Sequence, residues 1–86
     1  MSYRVEFSPE ALDDLARLDT MVARRIFAKT SWLGENFENM TPEPLSGDLR
    51  GLFKLRVGNY RVIYSVHPSE RFIHVHMVGH RRDIYK

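Results

Sequence analysis

Eighty-six residues, of which 43% are hydrophobic and 28% charged, suit one globular domain around one small core, with only roughly 60–65% of the unfolded surface buried on folding. The absence of cysteine excludes a disulfide framework and a thiolate metal site, and no apolar run reaches the roughly 20 residues that span a bilayer. A net charge of +2 hides an uneven spread, with five basic and eight acidic side chains in residues 1–46 against eight basic and three acidic in residues 47–86.

These features predict a single domain over 1–86, cytoplasmic, without a membrane segment or signal-like start. The basic second half is expected to meet a polyanion. Along the chain, residues 3–7 alternate apolar and charged side chains and read as a half-buried strand. Ser8 and Pro9 then start a helix, the serine capping orphan amides and the proline losing no hydrogen bond at the first position. Leu12, Leu15 and Leu18 follow at helical spacing, and Asp13 and Asp14 favour the positive end of the dipole. Asp19 or Thr20 caps a second helix with Val22, Ile26, Thr30, Leu33 and Phe37 along one stripe. Phe27 and Trp32 lie beside that stripe, and Trp32 is expected in the core or at a partner interface.

Residues 39–47, with Pro42 and Pro44, read as a loop. The pattern then changes to β-rich runs over 52–57, 60–66 and 72–78, joined by Gly58-Asn59 and by a turn over 67–70. Strand, two helices and a meander of strands predict an α+β domain, its N-terminal strand and two-helix hairpin packed on an antiparallel sheet.

The turn at Gly58-Asn59 fixes a register, because glycine first in a two-residue loop suits a type II′ hairpin. Val57 then opposes Tyr60, Leu55 opposes Val62 and Phe53 opposes Tyr64, and these six share a core-facing layer. The other face carries Lys54, Arg56 and Arg61, with Arg56 directly opposite Arg61. Like charges facing each other across strands are unfavourable, so this face calls for an anion. The second half offers only Asp48, Glu70 and Asp83 as internal acids, and a phosphate backbone is the better candidate.

The run Leu45-Ser46-Gly47-Asp48-Leu49-Arg50-Gly51, then 53–64 with its Gly58-Asn59-Tyr60-Arg61-Val62-Ile63-Tyr64 segment, resembles the central signature of RelE/ParE toxins. The ending Val78-Gly79-His80-Arg81-Arg82-Asp83-Ile84-Tyr85 resembles that family too. The resemblance spans nearly the whole chain and implies a RelE-like microbial ribonuclease-type fold. It also implies the toxin of a type II toxin–antitoxin system, and most closely a ribosome-dependent mRNA endoribonuclease that inhibits translation without a metal ion or other cofactor. ParE-like members share the fold and poison DNA gyrase, which makes a gyrase inhibitor the alternative. A third possibility is a degenerate toxin that only binds its antitoxin and represses transcription with it.

Metal-free cleavage of RNA needs the 2′-hydroxyl deprotonated, the phosphorane's charge stabilised and the 5′-oxygen protonated. By resemblance the catalytic set is Lys54, Arg61, Arg81 and Tyr85. Lys54 is the base or the charge stabiliser, since a lysine crowded by cations gives up its proton more readily, or else a simple phosphate contact. Arg61 brings a planar fork that matches phosphate oxygens. Arg81 assists the leaving group electrostatically, and Tyr85 stacks on a nucleobase. Arg56, His80 and Arg82 are the RNA-binding candidates. Relatives often carry a lysine two positions before Lys54, and Leu52 stands there instead. His74 and His76 alternate with Ile73, Val75 and Met77 and point away from the apolar layer; no third ligand of fitting spacing makes them a metal site. The implied partners are a cognate, RelB-like antitoxin, the ribosome and mRNA, with DNA met only through the antitoxin complex.

Overall fold

The computed structural model describes residues 2–84. In chain order its elements are β1 (Arg4–Phe7), α1 (Pro9–Ala16), α2 (Thr20–Asn36), β2 (Glu43–Pro44), β3 (Phe53–Val57), β4 (Tyr60–His67) and β5 (Phe72–His80). Both helix starts follow local chemistry. The Ser8 hydroxyl accepts from the Ala11 amide at 3.0 Å with Pro9 next to it, and the Asp19 carboxylate accepts from the Met21 amide at 3.1 Å, so each satisfies an amide that the helix cannot.

Among the described residues the sheet has five strands in the order β1-β5-β4-β3-β2. The pairs β3/β4 and β4/β5 are antiparallel, as expected, and so is β2/β3, but β1 joins β5 in parallel. Alternation in a sequence identifies a strand without giving its direction, and the helical hairpin after β1 is long enough to return the chain for a parallel pairing. The loop expected over 39–47 contains β2, an edge strand short enough for Pro44, which lacks an amide to donate. Gly58 has φ +59° and Asn59 is not among the positive-φ residues, which agrees with the type II′ assignment.

The helices cover one face of the sheet. Ala11, Leu15, Ile26 and Leu33 meet Leu55, Val62, Tyr64, Ile73, Val75 and Val78, all buried, with Phe53, Val57 and Tyr60 packed around them. Thr30 is buried in this layer and its hydroxyl donates to the Phe27 carbonyl at 2.9 Å. The stripe on α2 is thus the core stripe. Leu12 is not core: it is 50% exposed, as is Phe27, and Trp32 is 41% exposed, so spacing alone overstates the buried face of each helix.

Strand β5 departs from regular alternation. Tyr64 pairs with Val75 but its neighbour Ile63 pairs with Met77, leaving His76 as the extra residue of a one-residue β-bulge. Beyond it the inward positions fall on even numbers: Val78 enters the core, and Met77 turns outward with Ile63. Two side chains of α1 take the backbone groups around the bulge. The Ser8 hydroxyl donates to the His76 carbonyl at 3.0 Å, and the Asp14 carboxylate accepts from the Val78 amide at 3.0 Å. Asp14 therefore buttresses the sheet, beyond any interaction with the helix dipole.

Candidate functional site

Strand alternation places Lys54 and Arg56 of β3 on the sheet face away from the helices, and the register sets Arg56 directly opposite Arg61 of β4. The three expected cations thus share one surface. Neither Lys54 nor Arg61 has a carboxylate within ion-pairing distance among the described residues. The Arg61 guanidinium donates to the carbonyls of Gly58 at 3.0 Å and Tyr60 at 2.9 Å. Those bonds hold it against its own turn while leaving most of its five N–H donors free for an anion.

Arg56 differs. Glu43, from the first half of the chain, lies across the β2/β3 pair and accepts from Arg56 at 3.2 Å. Counting acids only within residues 47–86 missed this partner, because pairing across the sheet edge imports it. Both side chains are exposed, so the pair is worth little and leaves the face basic.

The C-terminal candidates divide. The Arg81 amide donates to the Asn59 carbonyl at 2.8 Å, which puts its backbone at the same end of the sheet as Arg61. His80 lies elsewhere: it pairs with the core-packed Tyr60, and the two rings meet edge to face at 5.3 Å. The bulge at His76 turns it to the helix side. There His80 and Arg82 line a groove of about 560 Å³ with Asp14, Arg17 and Tyr60, and the Arg82 amide donates to His80 Nδ1 at 3.1 Å. These two RNA-binding candidates do not belong to the Lys54–Arg61 surface. Tyr85 lies outside the described residues.

Sequence reasoning missed a second basic groove, of about 500 Å³, between α2 and the β3–β4 turn. Arg25, Lys29 and Arg56 line it beside Trp32, and the Lys29 ammonium sits 4.1 Å from the Trp32 ring centroid. The helical period did locate Arg25, Lys29 and Trp32 near one another (i, i+4 and i+7), and that spacing was the available signal. Among the described residues no group of three or more His, Cys, Asp or Glu is arranged to hold a metal ion, and no helix is long and apolar enough to cross a membrane.

This chain and its fold have close parallels. Residues 5–85 match the family model for the ParE toxin of type II toxin–antitoxin systems, parDE. The chain is 31% identical to Toxin RelG of Mycobacterium tuberculosis over 88 residues, covering 100% of this chain and 99% of that one. Its fold superposes on the RelBE2 toxin–antitoxin complex of M. tuberculosis with a TM-score of 0.85, at 26% identity and covering 96% and 95% of the two chains. The archaeal RelE–RelB complex of Pyrococcus horikoshii gives a TM-score of 0.75 at 27% identity, covering 96% and 99%. The chain belongs to the RelE/ParE superfamily of type II toxin–antitoxin toxins.

Proposed function

We propose that this toxin is a ribosome-dependent endoribonuclease that cuts mRNA by attack of the 2′-hydroxyl on the adjacent phosphorus, without a metal ion. The observation that carries this reading is the outer sheet face, where Lys54 and Arg61 stand together and neither makes an ion pair among the described residues, Glu43 across from Lys54 being paired with Arg56. Cations gathered in this way repel one another until an anion arrives. Lys54 takes the 2′-hydroxyl proton or stabilises the charge that follows its loss. Arg61 holds the equatorial oxygens of the phosphorane, whose charge exceeds that of the ground-state phosphate. Arg81 assists departure of the 5′-oxygen electrostatically. The products are a 2′,3′-cyclic phosphate and a 5′-hydroxyl end. Tyr85 is assigned base stacking on the resemblance alone.

A cognate antitoxin is part of the same proposal. The M. tuberculosis and P. horikoshii relatives are known as complexes of toxin and antitoxin. Here Leu12, Met21, Phe27 and Trp32 leave apolar surface exposed on the helices, suited to a segment that folds on binding.

The second reading, a gyrase inhibitor on the same fold, is favoured by the ParE description of the matching family and by Leu52 in the place of a lysine common among the nucleases. Two assays on one preparation separate the readings. Cleavage of mRNA in a translating extract, mapped by primer extension, supports the nuclease. Loss of gyrase supercoiling with intact mRNA refutes it. Cleavage that survives alanine at Lys54, Arg61 and Arg81 together refutes the residue assignment.

A further inference from the structure

The outer sheet face has a second chemically distinctive end, which the proposed cleavage does not use. Four rings follow one another across β4 and β5. His67 stacks on Phe72 with centroids 5.3 Å apart, Phe72 meets His74 at 5.8 Å, and His74 meets His76 at 4.5 Å. The Ser65 hydroxyl ties this ladder together, lying 2.9 Å from His76 Nε2 and 3.3 Å from His67 Nε2. Arg4 of β1 stands over the Phe72 ring at 5.1 Å. Ordinary alternation puts His74 and His76 on the same face as Ser65, and the bulge at His76 reverses the facing only from Met77 onward.

We propose that this ring ladder is a second nucleotide subsite, which takes an unpaired base against Phe72 and His67 and the adjoining phosphate against the imidazoles in their protonated form. The proposal rests on the reading of single-stranded RNA as substrate. Arg61, Ile63, Ser65 and His67 occupy alternate positions on β4 and so share one face. At ~3.3 Å per residue the two ends of that face lie about 20 Å apart, and one strand of RNA crossing it meets cations at one end and rings at the other. Ring faces accept any base, so the contact lengthens the footprint without setting a sequence.

Protons provide the charge at this end. Burial, and then the neighbouring His74 and His67, hold His76 below the ordinary imidazole range, with Glu10 of α1 acting the other way. The other charged groups facing the ladder are Arg4 and Glu6 of β1, which pair with each other at 2.7 Å and sit beside Phe72 and His74 in register. In the empty ladder His76 therefore resists taking up a proton. A phosphate removes that resistance, and by reciprocity protonation tightens phosphate binding by the same factor. The gain is complete below the free imidazole range and is lost as pH rises through the range of the bound form.

Anisotropy titrations with a labelled single-stranded hexaribonucleotide, 2′-O-methylated to block attack, test this at pH 6 and pH 8 in the same salt. For the unmodified chain, binding is expected to be about threefold tighter at pH 6, the linkage of one proton whose bound-state value returns to the ordinary imidazole range. Replacing His67, His74 and His76 by Gln together brings that ratio to about one, while His80→Gln on the opposite face leaves it intact. His67→Gln alone changes only an exposed ring and lowers the ratio in a variant that keeps the core. Phe72→Leu weakens binding at both pH values. Lys54→Ala with Arg61→Ala weakens binding at both values yet preserves the ratio. A ratio that survives both His67→Gln and the triple substitution overturns the subsite alone, and binding indifferent to substitutions at either end overturns the RNA reading with it. An equal pH gain for an acidic peptide, unaffected by Phe72→Leu, overturns the proposal in favour of a protein-docking surface.

Discussion

Gly34 offers a sharp test of how β1 is held against α2. Alanine there brings about 1 kcal/mol of helix propensity over glycine, so a solvent-facing Gly34→Ala would stabilise the protein. This glycine is buried, and an added Cβ would stand 2.7 Å from the Tyr3 carbonyl oxygen and 2.9 Å from Val5 Cγ2. The first neighbour is backbone and cannot rotate away. Relief requires β1 to retreat from α2 by several tenths of an ångström, which stretches the 2.8 Å bond from the Tyr3 amide to the Gly34 carbonyl. Overpacking of this kind costs about 1–3 kcal/mol, and weakening the hydrogen bond adds up to about 1 kcal/mol. Mid-range costs of about 2 and about 0.5 kcal/mol against a gain of about 1 kcal/mol leave an expected net loss of about 1.5 kcal/mol. Urea unfolding followed by circular dichroism reads this as a lower midpoint with an unchanged slope. Adding Val5→Ala removes only the second contact and should not restore stability. A Gly34→Ala variant as stable as the parent would refute the close approach of β1 to α2.

Other perturbations have equally definite outcomes. Asp14→Ala removes the acceptor of the Val78 amide and should cost about 1.5–3 kcal/mol in urea unfolding, Asp14→Asn less, because its carbonyl still accepts. The Tyr64 hydroxyl is buried without a hydrogen-bond partner among the described residues, so Tyr64→Phe should stabilise the fold by about 1 kcal/mol at neutral pH. Burial, reinforced by Glu43, pushes the Tyr64 pKa up to about 12. The folded chain then keeps a proton that the unfolded chain releases near pH ~10, so stability falls as pH rises from that point and levels off beyond the folded value. Tyr64→Phe removes this part of the alkaline loss in a pH series of unfolding midpoints. Lys54→Ala and Arg61→Ala should each lower cleavage in a translating extract by about 10²–10³-fold with little change in the unfolding midpoint.

Local chemistry made much of this architecture readable in the sequence. The caps at Ser8 and Asp19 act within three residues, and the hairpin register follows from one glycine and a period of two, so Lys54, Arg56 and Arg61 could be set on one face in advance. What escaped the reading depends on distant partners. The direction of β1 is decided by where the helices return the chain. The Arg56–Glu43 pair exists because a two-residue strand at the sheet edge crosses from the acidic half. Apolar spacing does not distinguish a residue that meets the sheet from one left in solvent, which is why Leu12 looked like its buried neighbour Leu15.

The bulge at His76 had the widest consequences, because strict alternation misread every position after it. Residues 73–77 alternate without a flaw, and continuing that pattern carries Met77 and Gly79 inward and His80 out onto the cationic face. The bulge reverses those assignments. Val78 then completes the core, His80 goes to the helix side, and Gly79, opposite Arg61, presents no side chain there, with Ile84 packed over it at 3.1 Å from a would-be Cβ. A bulge leaves backbone groups without ladder partners, an arrangement costly in a part-buried setting, and here Ser8 and Asp14 satisfy them. Ser8, which caps α1, and Asp14, six residues further on, thus also fix the register of β5, which in turn decides which groups surround Arg61. Composition of the outer face is set as much by two polar side chains on a helix behind the sheet as by the strands that display it.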